Sequence, residues 1–513
     1  MVATGILLSR VVGLVRQRVF AHYFGTSLAA DAFAAAMRIP NVLQNLFGEG
    51  VLSASFIPVY ASLLARGEEE EAGKLAGAVG SLLALIVSAL VLIGVLLTPV
   101  LIALIAPGFD GATRELTVQL VRIMFPGIGL LVLSAWCLGI LNSHRKFLLS
   151  YTAPVAWNVV IILALLWYGP KREAASLAII VAWAAVAGSA LQLLVQVPSV
   201  VKLARAMRLS LGTRSPHVRT VVRNFAPVFV GRGVVQISGY VDGMLASLVT
   251  AGAVAAMNYA QVIYMLPVSV FGMSVSAAEL PEMSSAAGDE STVAAYLRGR
   301  LDGGLQRIAF FIVPSATALF AFGDLVAGLL YQSGSFGRSE AVWVWSILAG
   351  SAVGLTAATL GRLYSSTYYA LRDTRTPLRF ALIRVGLGLT LGAFAALVLP
   401  GLLGLDRKWG VAGIAIASSI AGWVEFLMLR RTLDKRIGET QVPRIILGWL
   451  WTAALAATAA GWWLRISIPE ERPVIRAVVV LGSFSLVYLV VALYGGVAEA
   501  RQLVRKMRRM SGS

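Results

Sequence analysis

The chain has 513 residues, 58% of them hydrophobic and only 13% charged, with a net charge of +18. Soluble proteins carry about 25% charged residues, so this composition excludes a water-soluble enzyme or nucleic-acid binder. It defines a polytopic membrane protein whose basic residues mark topology. Cys137 is the only cysteine, and His22, His144 and His217 are far apart, so neither an intrachain disulfide nor a metal motif is expected.

Apolar runs of about 20 residues, bounded by Gly, Pro or charge, predict fourteen transmembrane helices and an all-α fold. The first, 2–23, contains "LLSRVVGLVRQRVF". It is interrupted by arginines and lacks a basic leading region, so it reads as a retained helix and not a cleaved signal. At about 100° per residue, Ser9, Arg10, Gly13, Arg16 and Gln17 share an arc of roughly 120°, and Arg18 falls on the opposite face. A charged group near the bilayer centre costs at least about 2.5–3.5 kcal/mol, so that arc is expected to face a wet cavity. The second run, 29–64, holds Asp31, Arg38, Asn41 and Glu49, and its polarity again suits a cavity wall. Arg38 and Asn41 are candidates for the same basic patch. Asp31 is expected to orient an arginine or close an outer gate.

Runs at 75–105, 114–142, 148–168 and 174–206 complete a first set of six. The next six lie near 218–250, 254–284, 293–321, 339–371, 376–400 and 410–434. Arg232 opens the seventh helix between two glycines in "VGRGVVQ" and is a further candidate for the cavity. Helices at 442–465 and 474–497 follow, with Trp449, Trp451, Trp462 and Trp463 placed for interfacial belts.

The charges orient this array. Twenty-five basic residues fall on the N-terminal side of the connections and nine on the other, which places both termini in the cytoplasm. The remaining nine arginines lie inside predicted helices, among them Arg122, Arg307, Arg362 and Arg384.

An offset of 227 residues relates Pro40 to Pro267, Phe109 to Phe336 and Arg145 to Arg372. Three features at one offset predict a duplicated six-helix unit, so two pseudo-symmetric lobes are expected around a central cavity. The lobes span 1–206 and 207–436. Residues 437–499 form an added helix pair, and 500–513 a basic cytoplasmic tail. No phosphate-binding glycine loop of the P-loop type occurs. No large outer loop offers catalytic acids, as a membrane-embedded glycosyltransferase would require. A scaffold has no need of nine intramembrane arginines. Alternating access for an anionic cargo fits best, because guanidinium forks suit phosphate or diphosphate. A drug exporter is expected to carry carboxylates in its cavity instead.

The motifs "SRVVGLVRQRVFAHYFGTSLAADAFAAAMRIPNVLQNLFGEGVLSASFIPVY", "APGF", "RIMFPGIGL", "GILNSHRKF" and "YALRDTRTPLR" occur in this order. In these the chain resembles the MurJ/MviN family of lipid II flippases, within the multidrug, oligosaccharidyl-lipid and polysaccharide exporter superfamily. The resemblance covers essentially the whole chain and implies two six-helix lobes plus two helices forming a hydrophobic groove. It implies a transporter, not an enzyme, that moves undecaprenyl-diphosphate-linked peptidoglycan precursor across the bacterial cytoplasmic membrane. A flippase for another polyprenyl-diphosphate oligosaccharide is the alternative. Lipid II and membrane lipids are the expected partners of a monomer in contact with the cell-wall synthesis machinery.

By this resemblance Arg10 and Arg16 match cavity arginines that engage the diphosphate. Asp31, Arg38, Asn41 and Glu49 fall in the second-helix motif. Family members often carry basic residues where this chain has Gln44 and Asn45, and an arginine where it has Val262. The missing charge is assigned to Arg232, or to Arg362 of the tenth helix. Some members bind sodium through an acid of the seventh helix, matched here by Asp242. The eleventh helix offers Arg384 and no carboxylate, so an Asp242–Arg384 pair is expected in place of the ion. No cofactor is expected. Membrane potential or an ion gradient is the expected drive.

Overall fold

The computed structural model describes residues 2–47, 52, 55–208, 210–212, 215–225, 240–469 and 473–511. Among them the fold is all helical, with one isolated bridge between Ser333 and Phe336. Eleven helices are long and apolar enough to cross a membrane. Glu49 and Arg232 lie outside the described residues.

The chain divides into two compact units, Met1–Ala255 with Ser333–Phe336, and Ala256–Gln332 with Gly337–Ser513. The first contains α1 (Val2–Phe24), α2 (Leu28–Phe47), α3 (Ile57–Ala65), α4 (Glu69–Ile105), α5 (Gly111–Ser143), α6 (Phe147–Tyr168), α7 (Ala174–Leu203) and the short α8 (Val241–Ser247). Residues 216–225 are also helical. The expected helix at 29–64 contains α2 and α3 among its described residues. The expected start at 75 moves to Glu69, because Glu69, Glu70 and Glu71 form a first turn that favours the helix dipole. Lys74 then pairs with Glu70 at 2.9 Å and with Glu71 at 3.0 Å. Within this unit α5 is central. It packs against α2, α4 and α7, while α6 packs against α1 and α7. Cys137 is buried in α5.

The second unit holds α9 (Ala253–Ser284), whose first residues belong to unit 1, α10 (Glu290–Tyr331), α11 (Arg338–Ala370), α12 (Arg375–Leu402) and α13 (Gly410–Ile437). It ends with α14 (Arg444–Ser467), α15 (Pro473–Tyr494) and α16 (Ala498–Ser511). A π turn at Val268–Met273 follows Pro267 in α9, as expected where proline removes a backbone donor. The helix α11 packs against α10 and α13. The α14–α15 pair docks on α10 through a core of Phe310, Phe322, Leu450, Phe484 and Tyr488. The basic tail is helical, and Val497 and Ala500 bury its start in that same core.

The 227-residue offset has a backbone signature. Arg145 and Arg372 are the two described non-glycine residues with left-handed backbone, at φ 58° and 59°. Each follows a long helix and closes it the same way. Arg145 N–H donates to Asn142 O and Lys146 N–H to Leu141 O, at 3.0 and 2.8 Å. Arg372 N–H donates to Tyr369 O and Asp373 N–H to Tyr368 O, each at 2.9 Å. A left-handed residue after the last turn lets these amides satisfy carbonyls the helix leaves open. A second of the three pairs shares a turn as well: Phe109 N–H donates to Ala106 O and Phe336 N–H to Ser333 O, both at 3.0 Å.

Candidate functional site

In unit 1, side chains from α1, α2, α5, α6 and α7 enclose a cavity of about 350 Å³, near the lower end of ligand-sized pockets. Gly13 and Arg16 come from α1, Asn41 and Gln44 from α2. Trp157 and Asn158 enter from α6, and Ser189 and Gln192 from α7. Arg16 is the one charged residue among the described lining residues. Its Cζ lies 4.8 Å from the centroid of the Trp157 ring, a cation–π contact worth about 0.5–2 kcal/mol.

The ring is held in place from behind. Trp157 Nε1–H donates to Ala185 O at 3.0 Å. Gly188 lets α7 approach so closely that an added Cβ would lie 3.0 Å from both Trp157 Cδ1 and Trp157 O. Gly13 has no such neighbours, and an added Cβ there meets nothing within 4 Å. The guanidinium is thus backed by an indole and the cavity is left open beside it.

Amide and hydroxyl groups share the remaining wall with apolar side chains, among them Met37, Met124, Ile128, Leu131 and Val186. Asn158, 6% exposed, donates through Nδ2 to Pro154 O at 3.0 Å, and its Oδ1 has no partner among the described residues. Gln192 Nε2 donates to Ser134 Oγ, which donates onward to Gln196 Oε1, both at 2.9 Å. Buried polar groups in an apolar unit are costly unless matched, and the Asn158 acceptor on this wall is one such group.

The structure brings Gly13, Arg16 and Asn41 to this cavity and places the other described candidates elsewhere. Arg10 is exposed on α1 and outside the lining. Arg38 lies over Gly243, in the field of Asp31, Tyr240 and Asp242, and its carbonyl accepts from Tyr240 Oη at 3.1 Å. Asp31, 1% exposed, accepts from the backbone N–H groups of Gly252 and Ala255 at 2.5 and 2.7 Å. It caps the start of α9, where the helix dipole favours a carboxylate. At the same end of unit 1, Ser335 N–H donates to His22 O at 2.8 Å and Gly108 N–H to Ser247 Oγ at 3.2 Å.

In unit 2, Arg384, expected to pair with Asp242, makes its ion pair with Glu425 of α13 at 3.0 Å. Arg362 is exposed on α11 and also acts on Glu425. Trp157, Asn158, Ser189, Gln192 and Glu425 were not singled out in the sequence. Ser189, Gln192 and Gln196 do carry a signal, as polar residues at spacings of three and four in an apolar run, which puts them on one helix face.

Eleven apolar spans and a polar, arginine-bearing cavity walled by five helices define a multi-pass membrane transporter. Its fold is that of an inward-facing multidrug resistance MATE family transporter of the MOP superfamily, with TM-score 0.65, 18% identity and coverage of 83% of this chain and 95% of that one. The family model for lipid II flippase MurJ matches residues 20–480. The chain belongs to the lipid II flippase MurJ family. It is 31% identical to the probable lipid II flippase MurJ of Rhizobium meliloti (strain 1021) over 98% of this chain and 94% of that relative. It is 30% identical to the lipid II flippase MurJ of Burkholderia cenocepacia over 84% and 82%. A solved lipid II flippase MurJ in an inward closed conformation superposes with TM-score 0.78 at 25% identity, covering 98% of this chain and 99% of that one.

Proposed function

We propose that the protein is a lipid II flippase that carries the polyprenyl-diphosphate-linked peptidoglycan precursor from the inner to the outer leaflet of the bacterial inner membrane. The observation that carries this reading is the Arg16–Trp157 contact in a polar cavity of a chain whose relatives bear that name throughout. Those names disfavour another polyprenyl-linked oligosaccharide or a drug as cargo. A cavity of about 350 Å³ takes only part of such a headgroup. Arg16 holds an oxygen of the diphosphate by charge-assisted hydrogen bonds, and Asn41, Asn158, Ser189 and Gln192 meet the polar groups beside it. Arg10 gathers the anionic headgroup from its exposed position on α1.

The same reading includes fourteen crossings, made up of the eleven apolar spans with α1, α2 and the segment beginning at 216. They form two six-helix lobes, 1–206 and 207–436, with the pair at 437–499 receiving the lipid tail. Both termini are cytoplasmic, as the 25-to-9 distribution of basic residues supports. The chain works as a monomer beside the cell-wall synthesis machinery. Transport uses no cofactor and draws on membrane potential or an ion gradient. Release on the side of the 106–110 connection requires the bonds of Asp31, Ser335 and Gly108 to open.

Depletion of the protein in its host, followed by a leaflet assay for lipid II, tests the reading. Lipid II accumulates in the inner leaflet and wild-type protein restores its export. Unchanged leaflet distribution on depletion overturns the assignment.

A further inference from the structure

A second, larger concavity of about 710 Å³ opens on the outside of unit 1, where α4, α5 and α7 meet. Pro99, Arg114, Glu115, Gln119, Arg122 and Trp183 are among its walls. Its surroundings are those of a lipid-facing surface: Leu96, Val100 and Leu104 of α4 and Trp183 of α7 are each more than half exposed. Arg114, Glu115, Gln119 and Arg122 are exposed along one face of α5. Arg122 makes no hydrogen bond or ion pair with the described residues.

Depth makes that exposure informative. A helix of 33 residues is about 50 Å long and overshoots an apolar core of about 30 Å by about 10 Å at each end. Arg122, eleven residues from Gly111, then lies about 6 Å inside the apolar boundary. Trp183, nine residues into α7, reaches the same depth by the same arithmetic, the level at which tryptophan anchors helices. Arg114 stands about 12 Å above Arg122 along the axis, in the headgroup layer. A guanidinium in contact with lipid is costly unless an anion meets it. The three ionised residues of the walls, Arg114, Glu115 and Arg122, sum to +1, which one phosphodiester neutralises.

We propose that this groove binds one anionic phospholipid, its phosphate held by Arg122 with Arg114 above it and an acyl chain laid along Pro99, Ile123 and Trp183. The site is separate from the Arg16 cavity, sharing with it no described lining residue. Nothing in the proposal depends on the transported cargo.

The test is native mass spectrometry of the full-length protein in detergent, titrated with dioleoyl-phosphatidylglycerol. The wild type retains one molecule, and dioleoyl-phosphatidylcholine, whose phosphate is already neutralised by its own choline cation and so leaves the +1 wall uncompensated, binds at least about tenfold more weakly. Arg122→Ala and Arg122→Gln each weaken phosphatidylglycerol about tenfold, Arg122→Lys keeps most of the affinity, and Arg501→Ala, on the tail helix and outside the groove's lining, leaves it unchanged. Free glycerol 3-phosphate does not displace the lipid, because it lacks the acyl chain. Equal binding of both lipids overturns the proposal. So does wild-type affinity in the Arg122→Gln protein, and so does displacement by glycerol 3-phosphate. If Arg122→Ala fails to fold, the near-isosteric Arg122→Gln decides. Loss of the flippase assignment leaves this result standing, since the readout uses no lipid II.

Discussion

Both units carry arginines inside helices long enough to cross a membrane, and they treat them differently. In unit 2 the guanidinium groups meet carboxylates. Glu279, with a side chain only 2% exposed, takes Arg300 at 2.8 Å and Arg307 at 3.1 Å. Asp324 takes Arg465 at 2.7 Å, and Glu425 takes Arg384 at 3.0 Å. In unit 1 the buried carboxylate of Asp31 serves backbone amides, and Arg16 lies on an indole at the edge of a polar cavity. A cation neutralised by a neighbouring acid stiffens the scaffold, whereas Arg16 brings its charge to a cavity wall with an aromatic ring against it. The lesson is that counting intramembrane arginines overstates the binding site. What each one touches decides its role.

Four substitutions or conditions break or sharpen this contrast. Arg16→Ala removes the charge facing the cavity and lowers lipid II transport by about 10- to 100-fold, the worth of a charge-assisted hydrogen bond. Thermal unfolding in detergent stays within about 2 °C of wild type. Unimpaired export by this variant in a leaflet assay removes Arg16 from the site. Glu279→Gln gives the opposite pattern. It strands two arginines that retain partial access to water, costs about 2 kcal/mol of stability and leaves transport per folded molecule near wild type. Asp31→Asn keeps the shape but weakens the cap on α9, for a loss of about 1 kcal/mol, read as a lower unfolding midpoint.

The smallest effect is a pH dependence at Asp373, in the turn between α11 and α12. The backbone N–H of Thr376, then its hydroxyl and the Arg436 guanidinium 2.7 Å away, hold this carboxyl at about 2, below its ordinary 3.8. A depressed folded value stabilises the fold above the ordinary one, and that share is lost as pH falls from about 4 through about 2. Asp373→Asn therefore flattens the unfolding midpoint between those pH values. An unchanged slope removes Asp373 from the acid response.

The apolar runs were legible because membrane crossing imposes a length and a composition that few other constraints imitate. Where the expected helices ended wrongly, tertiary partners were responsible. The run expected to stop at 321 continues to Tyr331, through a kink at Phe322, because Arg465 from α14 satisfies Asp324. Gly13 and Arg16 could be picked out because periodicity within a helix places residues on one face without any knowledge of its neighbours, although the same arc took in Arg10, which lies outside the lining; Asn41 stood out by the polarity of its run. Trp157, Asn158 and Ser189 could not be joined to them, since α6 and α7 lie more than a hundred residues further along. The Arg384–Glu425 pair was missed for the same reason: an acid about forty residues away in sequence becomes a neighbour only through packing. The 227-residue offset was legible at three points, and at Arg145 and Arg372 it coincides with matching left-handed turns.

Cys137 gives the protein an experimental convenience. A lone thiol shut inside α5 is inert to water-borne maleimides while the fold is intact. Native protein therefore supplies its own dark background for site-directed labelling, with no cysteine to remove first. Position 13, where an added Cβ meets open space, accepts a reporter thiol beside Arg16. Labelling of Gly13→Cys from one face of sealed vesicles, then the other, times how the cavity changes sides.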